Sequence, residues 1–127
     1  MLPTRSPVTS ASWDASVLTV EPSSEREVVV EFEGSPDAAA YLDALVASIE
    51  ALAQSSRALV VSLGYDIVAG DPHGSWGFAP EIFTRIGALL AASGLPICVI
   101  QEGGYALETL AACSYAFAEG LLEGVPA

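Results

Sequence analysis

Apolar and polar positions change period along this chain in a way that predicts an open α/β unit. From Val28 to Glu33, Val28, Val30 and Phe32 fall on one side and Val29, Glu31 and Glu33 on the other, the period of a half-buried or edge strand. Ser35-Pro36-Asp37 follows and predicts an N-cap, a proline at the first helical position and an acid near the positive end of the helix. The helix it opens presents Tyr41, Leu42, Leu45, Ile49 and Leu52 at spacings of three and four. Ala58 to Leu63 is nearly all apolar, as expected of a strand covered on both faces. A second helix opens at Pro80, turns Ile82, Phe83, Ile86, Leu89 and Leu90 inward, and stops at Gly94 with Pro96 behind it. Strand Ile97 to Gln101 and a last helix near Leu107 to Leu122 complete the order β-α-β-α-β-α. That order calls for right-handed crossovers and a parallel sheet. Met1 to Glu27, rich in Ser, Thr, Pro and acids, reads as a loosely structured leader with one short strand at Ser16 to Val20, and residues 28–127 as the folded part.

The candidate chemistry follows two of these strands. After Leu63 comes Gly64-Tyr65-Asp66-Ile67-Val68-Ala69-Gly70-Asp71-Pro72-His73-Gly74, and after Ile100 comes Gln101-Glu102-Gly103-Gly104-Tyr105. Parallel strands point their carboxyl ends the same way, and open α/β sheets keep their chemistry there, so a carboxylate and a phenol can share one crevice. On spacing alone, Asp66 is either a turn aspartate capping local amides or a metal ligand. Gly103 and Gly104 let the backbone approach a ligand closely, which would project Tyr105 into the crevice; the alternative is a tyrosine packed on the first turn of the next helix. Glu102 can shape this loop through backbone hydrogen bonds. Asp71-Pro72-His73 admits a small metal cluster with Asp66, although the proline stiffens a surface loop rather than aiming two side chains at one ion. The connection from Gly64 to Ala79 is long for an α/β unit, and Trp76 and Phe78 are expected to anchor it to the core in preference to facing a substrate.

These loops resemble those of the histone deacetylase and acetylpolyamine amidohydrolase family, zinc enzymes of arginase-like α/β fold. In that family a Gly-aromatic-Asp loop ending in Gly-Asp-Pro-Leu-Gly supplies one zinc-ligating aspartate. A Glu-Gly-Gly-Tyr loop supplies the tyrosine that polarises the amide carbonyl. The resemblance therefore implies a metal ligand at Asp66 and a catalytic phenol at Tyr105, with Gly103 and Gly104 forming the substrate loop. It runs from about Val28 to Gly124, includes Ala91-Ala92-Ser93-Gly94-Leu95-Pro96, and Gln-Glu-Gly-Gly-Tyr favours the polyamine and bacterial branch. The family also carries a tandem His-His pair as general base and acid, and an Asp-x-His segment giving two further ligands. His73 is the only histidine here, at a position where the family usually has leucine, so neither motif is present. The fold implied is a partial arginase-like parallel sheet, the carboxyl-terminal third of the domain behind an unrelated leader.

Three readings follow: the carboxyl-terminal part of a zinc-dependent deacetylase, inactive alone; a non-catalytic interaction or remnant module; and a small independent enzyme with an unknown metal arrangement. An acetylated amine or acetyl-lysine peptide is the substrate class the first implies.

Composition narrows the partners. The 127 residues are 52% apolar and carry a formal net charge of -12, with Arg5, Arg26, Arg57 and Arg85 the only strong cations. Such a surface repels phosphate backbones and anionic membranes, which excludes nucleic acid as a partner; a cationic acetylpolyamine suits it, as does plain solubility. The start lacks the apolar core of a signal peptide and no apolar run reaches membrane-spanning length, so a cytoplasmic protein is expected. Cys98 and Cys113 sit in strand and helix patterns without Cys-x-x-Cys spacing and read as reduced core thiols. Strands cut from a larger sheet leave unpaired apolar edges, so self-association or a complementing chain is expected.

Overall fold

The computed structural model describes residues 17–24 and 27–125. Its elements are β1 Val17–Ser24, β2 Glu27–Phe32, α1 Ala38–Ala53, β3 Leu59–Leu63, α2 Ile82–Ala92, β4 Ile97–Gln101 and α3 Leu107–Glu123. Residues 1–16 of the expected leader lie outside the described residues.

Strands β3 and β4 pair in parallel from Leu59↔Ile97 to Leu63↔Gln101, with α2 in the crossover between them. This is the α/β unit expected, with one correction. The strand at Val28 to Glu33 does not enter the parallel sheet; as β2 it pairs antiparallel with β1, from Val17↔Phe32 to Ser24↔Glu27. The physical reason is proximity: two residues of sequence separate β1 and β2, enough for a hairpin and far too few for a parallel crossover. The strand expected at Ser16 to Val20 is found as β1, Val17–Ser24, inside the segment read as a leader, with Ser16 outside the described residues.

Asp37, not Ser35, caps α1. Its side chain accepts the Ala40 N–H at 2.7 Å, while the Ser35 hydroxyl donates to the Ser75 carbonyl at 2.9 Å and ties the approach of the helix to the long loop. The second helix likewise starts after Pro80: a tight turn over Ala79, Pro80 and Glu81 precedes Ile82.

The core lies where α1, α2 and α3 meet one face of the sheet, around Leu42, Ile49, Leu59, Leu63, Phe83, Ile86, Leu90, Cys113 and Phe117. Phe83 is completely buried and meets Tyr65 edge to face, ring centroids 4.8 Å apart. Trp76 and Phe78 do anchor the long loop, joining Tyr41 and Phe32 in an aromatic cluster.

Helices α2 and α3 touch through their backbones. A Cβ on Gly87 would run into the Phe117 carbonyl, one on Gly120 into the Thr84 carbonyl and one on Gly124 into the Ala88 carbonyl. Gly120→Ala is therefore expected to destabilise the fold by about 1–3 kcal/mol, because neither backbone can yield. A thermal midpoint lowered by roughly 4–8 °C per kcal/mol in circular dichroism checks it.

Among the described residues, nothing covers the opposite face of the sheet. Val60 is 71% exposed and Ile100 50%, and Ser62 and Cys98 are exposed beside them. Among the described residues the apolar run from Ala58 to Leu63 is thus covered on one face only, and Cys98, expected in the core, is an exposed free thiol, whereas Cys113 is fully buried. Leu107, Tyr115 and Leu122 of α3 are also exposed, although its other side is packed on α2. Both the helix and the sheet, then, carry an apolar surface without a cover among the described residues.

Candidate functional site

Beyond the strand ends the ladder continues. Glu102 donates its N–H to the Leu63 carbonyl at 2.8 Å and Tyr65 donates to the Gly103 carbonyl at 2.9 Å. These two bonds bring the loop after β3 beside the loop after β4, so residues distant in sequence become neighbours.

Asp66 stands between the loops. Its carboxylate is flanked by Gly64 and Gly103: a Cβ on Gly64 would lie 2.5 Å from Oδ1 and one on Gly103 3.3 Å from Oδ2. The glycines therefore leave the space the carboxylate occupies, and it accepts no hydrogen bond from the described residues. The turn-cap reading of Asp66 has no bond to support it. Asp66 also lines a cleft of about 300 Å³ whose wall is mostly apolar, with Leu45, Val61, Ile67, Phe83 and the Tyr41 phenol, which burial pushes up from its ordinary pKa.

Tyr105 is 52% exposed, not packed away on α3. Gly104 before it has φ of +143°, and its Cα lies so close to Tyr65 that an added Cβ would sit 3.0 Å from the Tyr65 Cβ. Only glycine fits that turn without strain. The Tyr105 ring meets the His73 ring edge to face at 4.5 Å.

Sequence reasoning missed the role of Asp71. It is 7% exposed and is the buried charged residue among those described. Its Oδ1 accepts the N–H of His73 at 2.8 Å and of Gly74 at 3.0 Å, and its Oδ2 accepts the N–H of Tyr105 at 2.8 Å. Burial pushes its carboxyl upward, but the backbone N–H groups of Tyr105, His73, Gly74 and Ala106 outweigh it and hold the pKa below the usual aspartate range. The Asp-Pro-x-Gly spelling signals the local turn; nothing local signals the bond to Tyr105. Because the folded pKa is depressed, Asp71 stabilises the fold above the unfolded value of about 3.9, and that contribution is lost as pH falls through the lower folded value. Denaturation midpoints should drop below about pH 4 in the native protein, with the drop reduced in Asp71→Asn.

The zinc that the resemblance implies can be tested against these donors. A zinc site of this kind takes at least three protein ligands and keeps one position open. Asp66 offers one unpartnered carboxylate. Asp71 is saturated by backbone amides and His73 lies against Tyr105, so the Asp-x-His cluster admitted from sequence does not form. Among the described residues no three His, Cys, Asp or Glu side chains converge. One donor fits such a site, but these residues do not complete it.

An α/β unit with a free carboxylate and an exposed phenol on adjacent loops at the carboxyl ends of parallel strands defines the class. The histone deacetylase domain matches residues 14–121, and the chain belongs to that family. The match begins upstream of Val28 and takes in β1. The acetylpolyamine amidohydrolase of Burkholderia pseudomallei is 41% identical over 63 residues, 50% of this chain and 18% of that protein. Human polyamine deacetylase HDAC10 is 43% identical over 54 residues, 42% of this chain and 8% of that one. The crystal structure of acetylpolyamine aminohydrolase from Burkholderia pseudomallei matches with a TM-score of 0.73 and 30% identity, over 78% of this chain and 29% of that one. The arginase-like α/β fold is that of this neighbour, and the chain spans less than a third of the relatives it matches.

Proposed function

We propose that this chain is the phenol-bearing portion of a zinc-dependent deacetylase acting on acetylated polyamines or acetyl-lysine, inactive alone and completed by a polypeptide that brings the histidines. The observation that carries this reading is the placement of Asp66, unpartnered, against Gly103 of the loop that presents Tyr105. In the completed site Asp66 would be one ligand to the metal, and zinc there would supply Lewis acidity toward the amide carbonyl. The contributions of this chain are its own: Asp66 offers a carboxylate cleared of competing donors, and the Tyr105 O–H donates to the carbonyl oxygen as it gains charge. The net charge of -12 draws a cationic acetylpolyamine toward the crevice. The setting we propose is the cytoplasm; among the described residues no helix is long and apolar enough to cross a membrane.

The test is to assay the chain with an acetylpolyamine, alone and mixed with a separately produced polypeptide carrying the His-His and Asp-x-His segments. No turnover alone and turnover on mixing is the expected result. Turnover by the isolated chain would overturn the reading. Zinc retained after dialysis is expected to be far below one per chain alone, and to rise toward one on mixing except in Asp66→Ala. The single donor also suits a non-catalytic module that kept the fold, and failure of both zinc uptake and turnover on mixing would favour that reading.

The bare face of Val60, Cys98 and Ile100 supports a complementing chain, and without one we propose that the chain associates with itself. Sedimentation is expected to give a dimer or larger species that shifts toward monomer in Ile100→Glu. A monomer at all concentrations would count against it.

A further inference from the structure

The two oxygens of the Asp71 carboxylate serve different loops. Oδ1 holds His73 and Gly74 within the loop after β3, and Oδ2 holds Tyr105 in the loop after β4, 34 residues away. A buried carboxylate in this arrangement is a bridge: each loop supplies N–H donors that have no better acceptor, and water is kept from competing for them.

We propose that Asp71 is the positioning residue of this site, clasping both loops so that the Tyr105 phenol stands at a fixed place relative to Asp66. That the place matters for chemistry rests on the deacetylase reading; the clasp itself does not. Gly104 permits the turn before Tyr105, since its φ of +143° is open to glycine, but permission is not enforcement. The enforcement comes from the Asp71 bond to the Tyr105 N–H. The ring is held through the same carboxylate, because His73, whose N–H it also binds, sets its imidazole edge to face with the phenol at 4.5 Å. A tyrosine meant to meet a reacting oxygen needs such a hold, because misplacement by about 1 Å can cost on the order of a hundredfold in rate.

The carboxylate is chemically necessary for the clasp. Asparagine has the same size but one acceptor oxygen, and its NH₂ would face the N–H groups of one of the loops. Asp71→Asn should therefore release one loop while leaving packing volume unchanged.

The experiment uses the isotopically labelled chain in solution and needs no turnover. In Asp71→Asn at neutral pH, amide exchange on the released loop, at Tyr105 or at His73 and Gly74, is expected to rise about tenfold or more, the worth of one such hydrogen bond. The Tyr105 ring resonances should shift while those of Tyr115 stay, and the Phe117 amide should exchange as before. In the native chain the amide shifts of Tyr105, His73 and Gly74 should follow one common acid titration, absent from the variant. Unchanged exchange at Tyr105, His73 and Gly74 alike, or a Tyr105 amide that does not titrate with His73 and Gly74 in the native chain, would overturn the proposal. Should the variant fail to fold, the native titration decides alone. A clasp confirmed in a chain that never gains activity would leave the proposal standing and remove only the deacetylase reading.

Discussion

In the completed enzyme, Tyr105→Phe is expected to lower kcat for an acetylpolyamine by about a hundred- to a thousandfold, the usual cost of one oxyanion donor. The change removes one oxygen. The ring stays, with its contact to His73, and the backbone N–H still reaches Asp71 at 2.8 Å, so the loop has no reason to move. Binding of the substrate before reaction should be nearly untouched, and the loss should appear in kcat with little change in KM, as for an interaction made only as charge develops. Single-turnover rates of the mixed polypeptides, native against variant, provide the measurement. A variant within about threefold of the native rate would remove Tyr105 from the chemistry, since no oxyanion donor is that cheap to lose.

The second large effect is on stability. Phe83→Ala is expected to cost about 3–5 kcal/mol, the range for emptying a fully buried aromatic site. For a domain whose whole stability is of order 5–15 kcal/mol that is a large fraction, and the chain should be substantially unfolded at moderate urea. The effect should reach the site too. Phe83 packs on Tyr65, and the Tyr65 N–H binds the Gly103 carbonyl that aligns the two loops. Urea midpoints followed by circular dichroism, with Tyr115→Ala on the exposed side of α3 as a near-neutral control, check the magnitude.

Much of the fold was legible in the sequence because period and punctuation agreed. Tyr41, Leu42, Leu45 and Ile49 marked a helix face, Pro80 and Gly94 bracketed α2, and both apolar runs became the paired strands β3 and β4. What was not legible concerned partners. Val28 to Glu33 reads as a strand whether its neighbour is parallel or antiparallel, and the neighbour turned out to be β1. Ala58 to Leu63 spells a strand buried on both faces and Cys98 a core thiol, and among the described residues only one face of that sheet has a cover. Ser35 and Asp37 are equally good caps by type, and the choice between them rests on geometry. In the site, Asp66 and Tyr105 were visible because each sits at a strand end within a recognisable loop. Asp71 was not, since a carboxylate that binds an amide 34 residues away leaves no trace in local spacing.

The glycine contacts between α2 and α3 have a mechanical consequence. Where Gly87, Gly120 and Gly124 let backbone meet backbone, no side chain stands between the helices that could change rotamer and absorb a displacement. Turning α3 about its axis would drive main chain against main chain. Tyr105 is two residues from the start of that helix, and Gly104 already rests against Leu110 on its first turn. The phenol is thus mounted on a stiff beam, and the Asp71 bond to the Tyr105 N–H ties the loop that carries Asp66 to the same beam.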